Sequence, residues 1–108
     1  MNKNYEACVD ACNDCAVECS TCAAACLQED DIKMMVRCIE LDTDCAAICQ
    51  LAAAAMSRQS EFAAEICAVC ATICDACAEE CAKHKMAHCQ RCAEACRQCA
   101  EQCRRMAA

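Results

Sequence analysis

Cysteine and other small apolar residues recur along this chain at intervals of three and four, between stretches of charged and amide side chains. Cys8, Cys12, Cys15, Cys19, Cys22 and Cys26 step by 4, 3, 4, 3, 4. Cys67, Cys70, Cys74, Cys77 and Cys81 step by 3, 4, 3, 4, and Cys89, Cys92, Cys96, Cys99 and Cys103 repeat that run 22 residues later. Alternate steps of three and four trace the a/d seam of a heptad, one stripe along an α-helix. A fourth region is sparser: Cys38, Cys45 and Cys49 share the register, with Met34, Leu41, Ala52 and Met56 on other rungs. Ala, Glu, Gln, Lys and Arg fill the gaps, and these are strong helix formers. The pattern predicts four helices at about 4–28, 31–56, 61–83 and 86–106.

The breaks between them are polar. Glu29-Asp30-Asp31 separates the first two helices, with Asp30 placed to cap the second. Ser57-Arg58-Gln59-Ser60 precedes the third, with Ser60 as its cap, and Lys83-His84-Lys85 brings positive charge to the end of that helix. Connections this short make neighbours antiparallel, so the expected fold is all-α: an antiparallel up-down-up-down four-helix bundle with a cysteine-lined core. A length of 108 residues suits one domain, spanning 1–108.

Composition removes most other architectures. The chain has no glycine and no proline, which takes away tight hairpins, glycine-rich phosphate loops and glycine helix caps. A formal charge of −7 repels a phosphate backbone, so no nucleic-acid partner is expected. Charges recur too often for the roughly 18 uninterrupted apolar residues of a membrane span, so no membrane partner is expected either. The first ten residues, MNKNYEACVD, contain no apolar signal segment, and the cysteine count, 19, is odd. Both favour a reduced, cytoplasmic chain over a secreted disulfide scaffold.

So many thiols on one seam call for a chemical reason. Leucine or isoleucine would bury more apolar area, so packing alone does not explain cysteine at nearly every rung. Disulfides fit poorly, because neighbouring rungs point their sulfurs the same way and disulfide geometry is strict. Cys12-Asn13-Asp14-Cys15 is a CxxC, but it lies within a helix and recurs many times, unlike a thioredoxin motif. Iron–sulfur ligands sit on loops at other spacings. Soft-metal binding uses the whole stripe. Zinc held by four thiolates carries a net double negative charge, and several such sites side by side would be costly to bury. Cu(I) at one ion per thiolate is neutral, so a core full of it suits a low-dielectric bundle. Protons should leave as the metal arrives. Protonated thiols are apolar, so the bundle should fold before metal binds. A zinc or general soft-metal detoxification sink and a thiol–disulfide redox buffer remain the competing readings.

A Gly- and Pro-free chain with CxxC/CxxxC ladders running inward on four helices resembles the bacterial copper storage proteins, and its N-terminus places it with their cytosolic branch. The resemblance spans the whole chain. It implies a non-enzymatic homotetramer of four-helix bundles storing many Cu(I) ions in thiolate clusters. The implied ligands are Cys8, Cys12, Cys15, Cys19, Cys22, Cys26, Cys38, Cys45, Cys49, Cys67, Cys70, Cys74, Cys77, Cys81, Cys89, Cys92, Cys96, Cys99 and Cys103. A copper chaperone or efflux protein is a further candidate partner.

The remaining residues divide by position. Antiparallel topology gathers His84, His88, Met34, Met35 and Met86 at one end, where weaker ligands would suit a loading mouth; the alternative is solvated turn histidines and ordinary core methionines. Asp42 lies near the seam and is expected to tilt outward, because a buried unpaired carboxylate is costly. Tyr5 and Phe62 are expected to plug the opposite end. Phe62, Ile66, Val69 and Ile73 form a second stripe on helix 3, and Ile32, Val36 and Ile39 one on helix 2. The positions on helix 4 equivalent to Ile66, Val69 and Ile73 are His88, Arg91 and Ala95, so that helix lacks the stripe. The stripes could pack within one chain, but the cysteines already take the inward face, which favours a homo-oligomer built through helices 2 and 3.

Overall fold

The computed structural model describes residues 3–108 of the chain. Four helices form α1 (Lys3–Cys26), α2 (Val36–Ser57), α3 (Ala63–Ala82) and α4 (Ala87–Ala107). They lie side by side in a rod of 44 × 17 × 17 Å. A helix the length of α1 runs about 36 Å at 1.5 Å per residue, so each spans most of the long axis. α1 packs on α2 and α4, and α3 packs on the same two, which places α1 diagonally across from α3. This is the up-down-up-down bundle expected from the short connections.

The bundle is narrow because its contact positions are small. Ala16, Ala46, Ala53, Ala71, Ala78, Ala93 and Ala100 are buried beside the cysteine stripes, and their methyl groups let the helices close around the thiols. Every cysteine is buried, and all are free thiols.

Three local expectations are corrected. First, the chain leaves α1 at Cys26 and re-enters as a 3-10 turn, Ile32–Met35, before α2 begins. The cap of that turn is Asp31, not Asp30: its carboxylate accepts the Met34 N–H at 3.4 Å. The turn opens one residue later than expected, which moves the capping position by one. Second, α3 opens at Ala63, and its N-cap, Phe62, makes no side-chain capping bond. The Ser60 hydroxyl accepts the Phe62 N–H at 3.1 Å, and its carbonyl accepts the Ala63 N–H, so Ser60 caps the turn leading into the helix. Third, Met34 and Leu41 are not rungs of α2. The inward ladder is Met35, Cys38, Asp42, Cys45, Cys49, Ala52 and Met56, all buried. Met34 is 66% exposed and Leu41 half-buried beside the seam.

The turn between α2 and α3 replaces the missing glycine with Gln59, at φ 55. The Ser60 N–H reaches the Ala55 carbonyl at 2.8 Å and the Gln59 N–H reaches Met56 at 3.1 Å. These two bonds form a Schellman motif, whose left-handed position favours glycine.

Candidate metal centre

The four cysteine stripes meet on the bundle axis, and adjacent sulfurs lie 3.4–4.0 Å apart across helices and along them. At the end formed by the start of α1 and the end of α4, Cys103 lies 3.7 Å from both Cys8 and Cys12. Cys99 lies 3.6 Å from Cys12 and 3.7 Å from Cys49, and Cys49 continues to Cys70 at 3.7 Å. In the middle, Cys45 meets Cys74 at 3.5 Å and Cys15 meets Cys96 at 3.6 Å. Toward the other end, Cys92 reaches Cys19 at 3.6 Å, Cys38 reaches Cys81 at 3.4 Å, and Cys22 reaches Cys89 at 3.8 Å. Cys26 adds to this end, 3.8 Å from both Cys22 and Cys38, and Cys77 lies 3.9 Å from Cys81. Cys67 is buried at the first end beside Cys103 and Cys8.

Compact groups of four sulfurs, each within 4.8 Å of one another, run the length of the rod. Cys12, Cys70, Cys99 and Cys103 form one; Cys15, Cys49, Cys74 and Cys99 form the next; Cys15, Cys19, Cys45 and Cys96 follow. Cys19, Cys77, Cys92 and Cys96 form another, and Cys22, Cys26, Cys38 and Cys89 lie nearest the histidines. A tetrahedral site with bonds of about 2.3 Å needs sulfurs about 3.8 Å apart, so spacing alone admits several soft metals. Sharing is more discriminating. Cys15, Cys19, Cys96 and Cys99 each belong to two groups, so separate closed tetrahedra would compete for the same sulfurs. Thiolates that bridge neighbouring ions use every group at once.

The electrostatics of this core are those of a dry thiol cluster. Burial pushes the Cys26 thiol up and the Cys89 thiol up to about 11, with the Cys38 charge adding to both. Hydrogen bonds divide the protons unevenly within the network. Cys15 is pulled down because Cys19 and Cys45 donate to it, whereas Cys19 is pushed up by the same bond.

Asp42 overturns the expectation that it tilts outward. It is 0% exposed and occupies the rung between Cys38 and Cys45. Oδ1 accepts from Cys77 at 3.2 Å, Cys81 at 3.4 Å and Cys92 at 3.2 Å, while Oδ2 faces Cys38 at 3.8 Å. The carboxyl is buried but not unpaired, so the assumed penalty is offset by thiol donors from three helices. Burial pushes it up to about 10. Counting alternate threes and fours from Cys38 to Cys45 lands on residue 42, and that spacing was the signal for its position.

The ends differ. At one, His88 stands over the outermost thiols, with Nδ1 3.4 Å from Cys22 Sγ and 3.5 Å from Cys89 Sγ. Its Nε2 meets Glu29 at 3.0 Å. His84 bonds instead to Glu80 at 2.9 Å, and Glu80 is also 3.5 Å from both Arg37 and Lys83. Met35 is buried here and Met86 half-buried, whereas Met34 points to solvent. At the other end Met56 is buried, with Tyr5 and Met106 half-buried against the core. Phe62 is 59% exposed and is not a plug: the inward positions of α3 start at Ala63 and Cys67, and Phe62 is rotated away from them. Glu29 and Glu80 were not singled out from the sequence. Glu80 precedes His84 by one helical turn and was legible, but Glu29 lies 59 residues from His88.

The copper storage protein family model matches residues 1–108. The chain belongs to that family. A relative of this copper storage protein, the uncharacterized cysteine-rich protein YhjQ of Bacillus subtilis, is 53% identical over 108 residues, covering 100% of both chains. The Cu(I)-bound copper storage protein BsCsp3 superposes with a TM-score of 0.94 at 53% identity, covering 98% of this chain and 100% of that one. A cytosolic copper storage protein from Streptomyces lividans, solved with five coppers, gives a TM-score of 0.94 at 38% identity, over 97% and 92% of the two chains. Among the described residues, no helix is long and apolar enough to cross a membrane.

Proposed function

We propose that this chain, as one unit of 108 residues, is a cytosolic, non-enzymatic reservoir for many Cu(I) ions. Its cargo is held by the nineteen buried cysteines as bridged thiolate clusters. The observation carrying this reading is the continuity of the sulfur network: successive four-sulfur groups share Cys99, Cys15, Cys19 and Cys96, and the 3.4 Å Cys38–Cys81 contact joins the outermost group to the column. One Cu(I) per thiolate leaves that core uncharged, whereas a column of zinc tetrathiolate sites would bury a double negative charge at each step. A copper reservoir of free thiols also requires a reducing compartment, in keeping with the cytosolic Streptomyces relative.

Anaerobic titration of the reduced protein with Cu(I) against a chromophoric chelator, with thiols counted in parallel, tests it. Tight uptake approaching one ion per cysteine is expected, with proton release. Saturation after a few ions would sink the storage reading, and stronger retention of zinc would replace the cargo.

The histidine end supports a loading mouth. His88 is placed to receive an ion and pass it to Cys22 and Cys89; His84 and Met86 line the same end. The unit is further proposed to assemble as a homotetramer through α2 and α3. Val36 is 48% and Val69 50% exposed, on the stripes shared with Ile39, Ile66 and Ile73. Light scattering should give four chains, falling to one or two with Val36→Glu and Val69→Glu.

A further inference from the structure

We propose that Glu29 is a positioning residue for copper entry, holding His88 in the one tautomer and orientation that presents a lone pair to the outermost thiols. The inference rests on the mouth reading above and deepens it.

A neutral imidazole carries one N–H and one lone pair, and the partner of one nitrogen decides the state of the other. Glu29 Oε2 sits 3.0 Å from His88 Nε2. An ionised carboxylate only accepts, so Nε2 must carry the hydrogen. Nδ1 then holds its lone pair toward Cys22 Sγ and Cys89 Sγ, at 3.4 and 3.5 Å. The opposite tautomer would set two lone pairs against each other at Glu29. In the metal-free protein a thiol S–H donates to Nδ1; for an arriving Cu(I), the same lone pair is a ready third ligand beside two sulfurs. Cys22 and Cys89 belong to the four-sulfur group with Cys26 and Cys38, so an ion bound there already touches the storage network.

Glu29 also acts across the fold. It lies between α1 and the 3-10 turn, so its bond ties the connection over the mouth to the first turn of α4. Carboxylates that orient metal-binding histidines in this way typically contribute about 10–100-fold to metal affinity. His84 has a similar anchor in Glu80, but that pair lies within one helix and puts no ring nitrogen on a thiol.

The chain has only two histidines, His84 and His88, so side-chain 15N spectra of the reduced, metal-free protein resolve the tautomer directly. The unaltered protein should show an Nε2–H, pyridine-like Nδ1 state for His88. Glu29→Ala should mix the tautomers and slow uptake of the first Cu(I) equivalents about 3–10-fold, with final capacity unchanged. Glu29→Gln keeps a bonding partner for the ring but can donate as well as accept, so it should leave the tautomers mixed and recover only part of the uptake rate, whereas a role in surface charge alone would leave it as slow as Glu29→Ala. A tautomer unaltered in Glu29→Ala overturns the proposal, as does a shifted tautomer with unaltered early uptake. His88→Ala is the separate control: if it loads at the normal rate, the mouth reading fails, and Glu29 retains no part in copper entry.

Discussion

The two ends of this bundle are built from the same ladders and finish differently. At the start of α1 and end of α4, buried Met56 and half-buried Met106 and Tyr5 pack on the cysteine core. At the opposite end the last cysteines meet an imidazole, and the ring is held by a carboxylate that is one-third exposed. One end finishes in apolar side chains; the other finishes in an imidazole set between two thiols and a carboxylate. Just inside that second end, Asp42 replaces a thiol in the ladder, and among the described residues both buried acidic residues, Asp42 and Glu80, lie in the half that faces the mouth.

The contrast can be broken at four points. The largest effect is expected from Met56→Ala, which empties the closed end and should destabilise the reduced protein by about 2–4 kcal/mol in chemical denaturation. Met56→Leu, nearly conserving volume, should cost under about 1.5 kcal/mol and leave copper loading untouched.

Asp42→Asn probes the other half, with an effect that depends on pH. The folded protein holds this carboxyl up at about 10, while an unfolded chain releases the proton near 3.8. The proton-holding stabilisation is therefore complete below about pH 4 and declines as pH rises toward about 10. Asp42→Asn should be nearly neutral at pH 4 and stabilising by about 2–4 kcal/mol at pH 8, measured as denaturation midpoints across pH. A difference independent of pH would show that Asp42 is not the buried, proton-holding group described.

Replacing His84 and His88 together with alanine should slow Cu(I) uptake about tenfold, equivalent to about 1.4 kcal/mol, in stopped-flow mixing with a chelated donor. Capacity should remain, because the thiol column is intact. The smallest change belongs to the closed-end turn. Gln59→Gly should stabilise the protein by about 0.5–1 kcal/mol, since it relieves a left-handed residue within an existing hydrogen-bonded cap.

Much of this was written in the spacing. Steps of three and four placed every cysteine inside, because a helix turns about 100° per residue and one stripe of each helix must leave water. The same count, applied without exception to α2, puts Met35 and Asp42 on the seam and Met34 outside it. Chemical expectation pulled the other way, since a carboxylate surrounded by apolar rungs looks too costly to bury. That cost depends on donors from other helices, Cys77, Cys81 and Cys92, and no local pattern carries their positions.

Sequence alone thus determined the four helices, their antiparallel order and the thiol column, since each follows from local periodicity and the absence of long connections. Tertiary structure decided which sulfurs are shared between groups, which end is sealed, and which histidine stands on a thiol. Those outcomes depend on angles and distances between helices. His88 and Glu29 are far apart along the chain and meet only because α4 starts beside the end of α1.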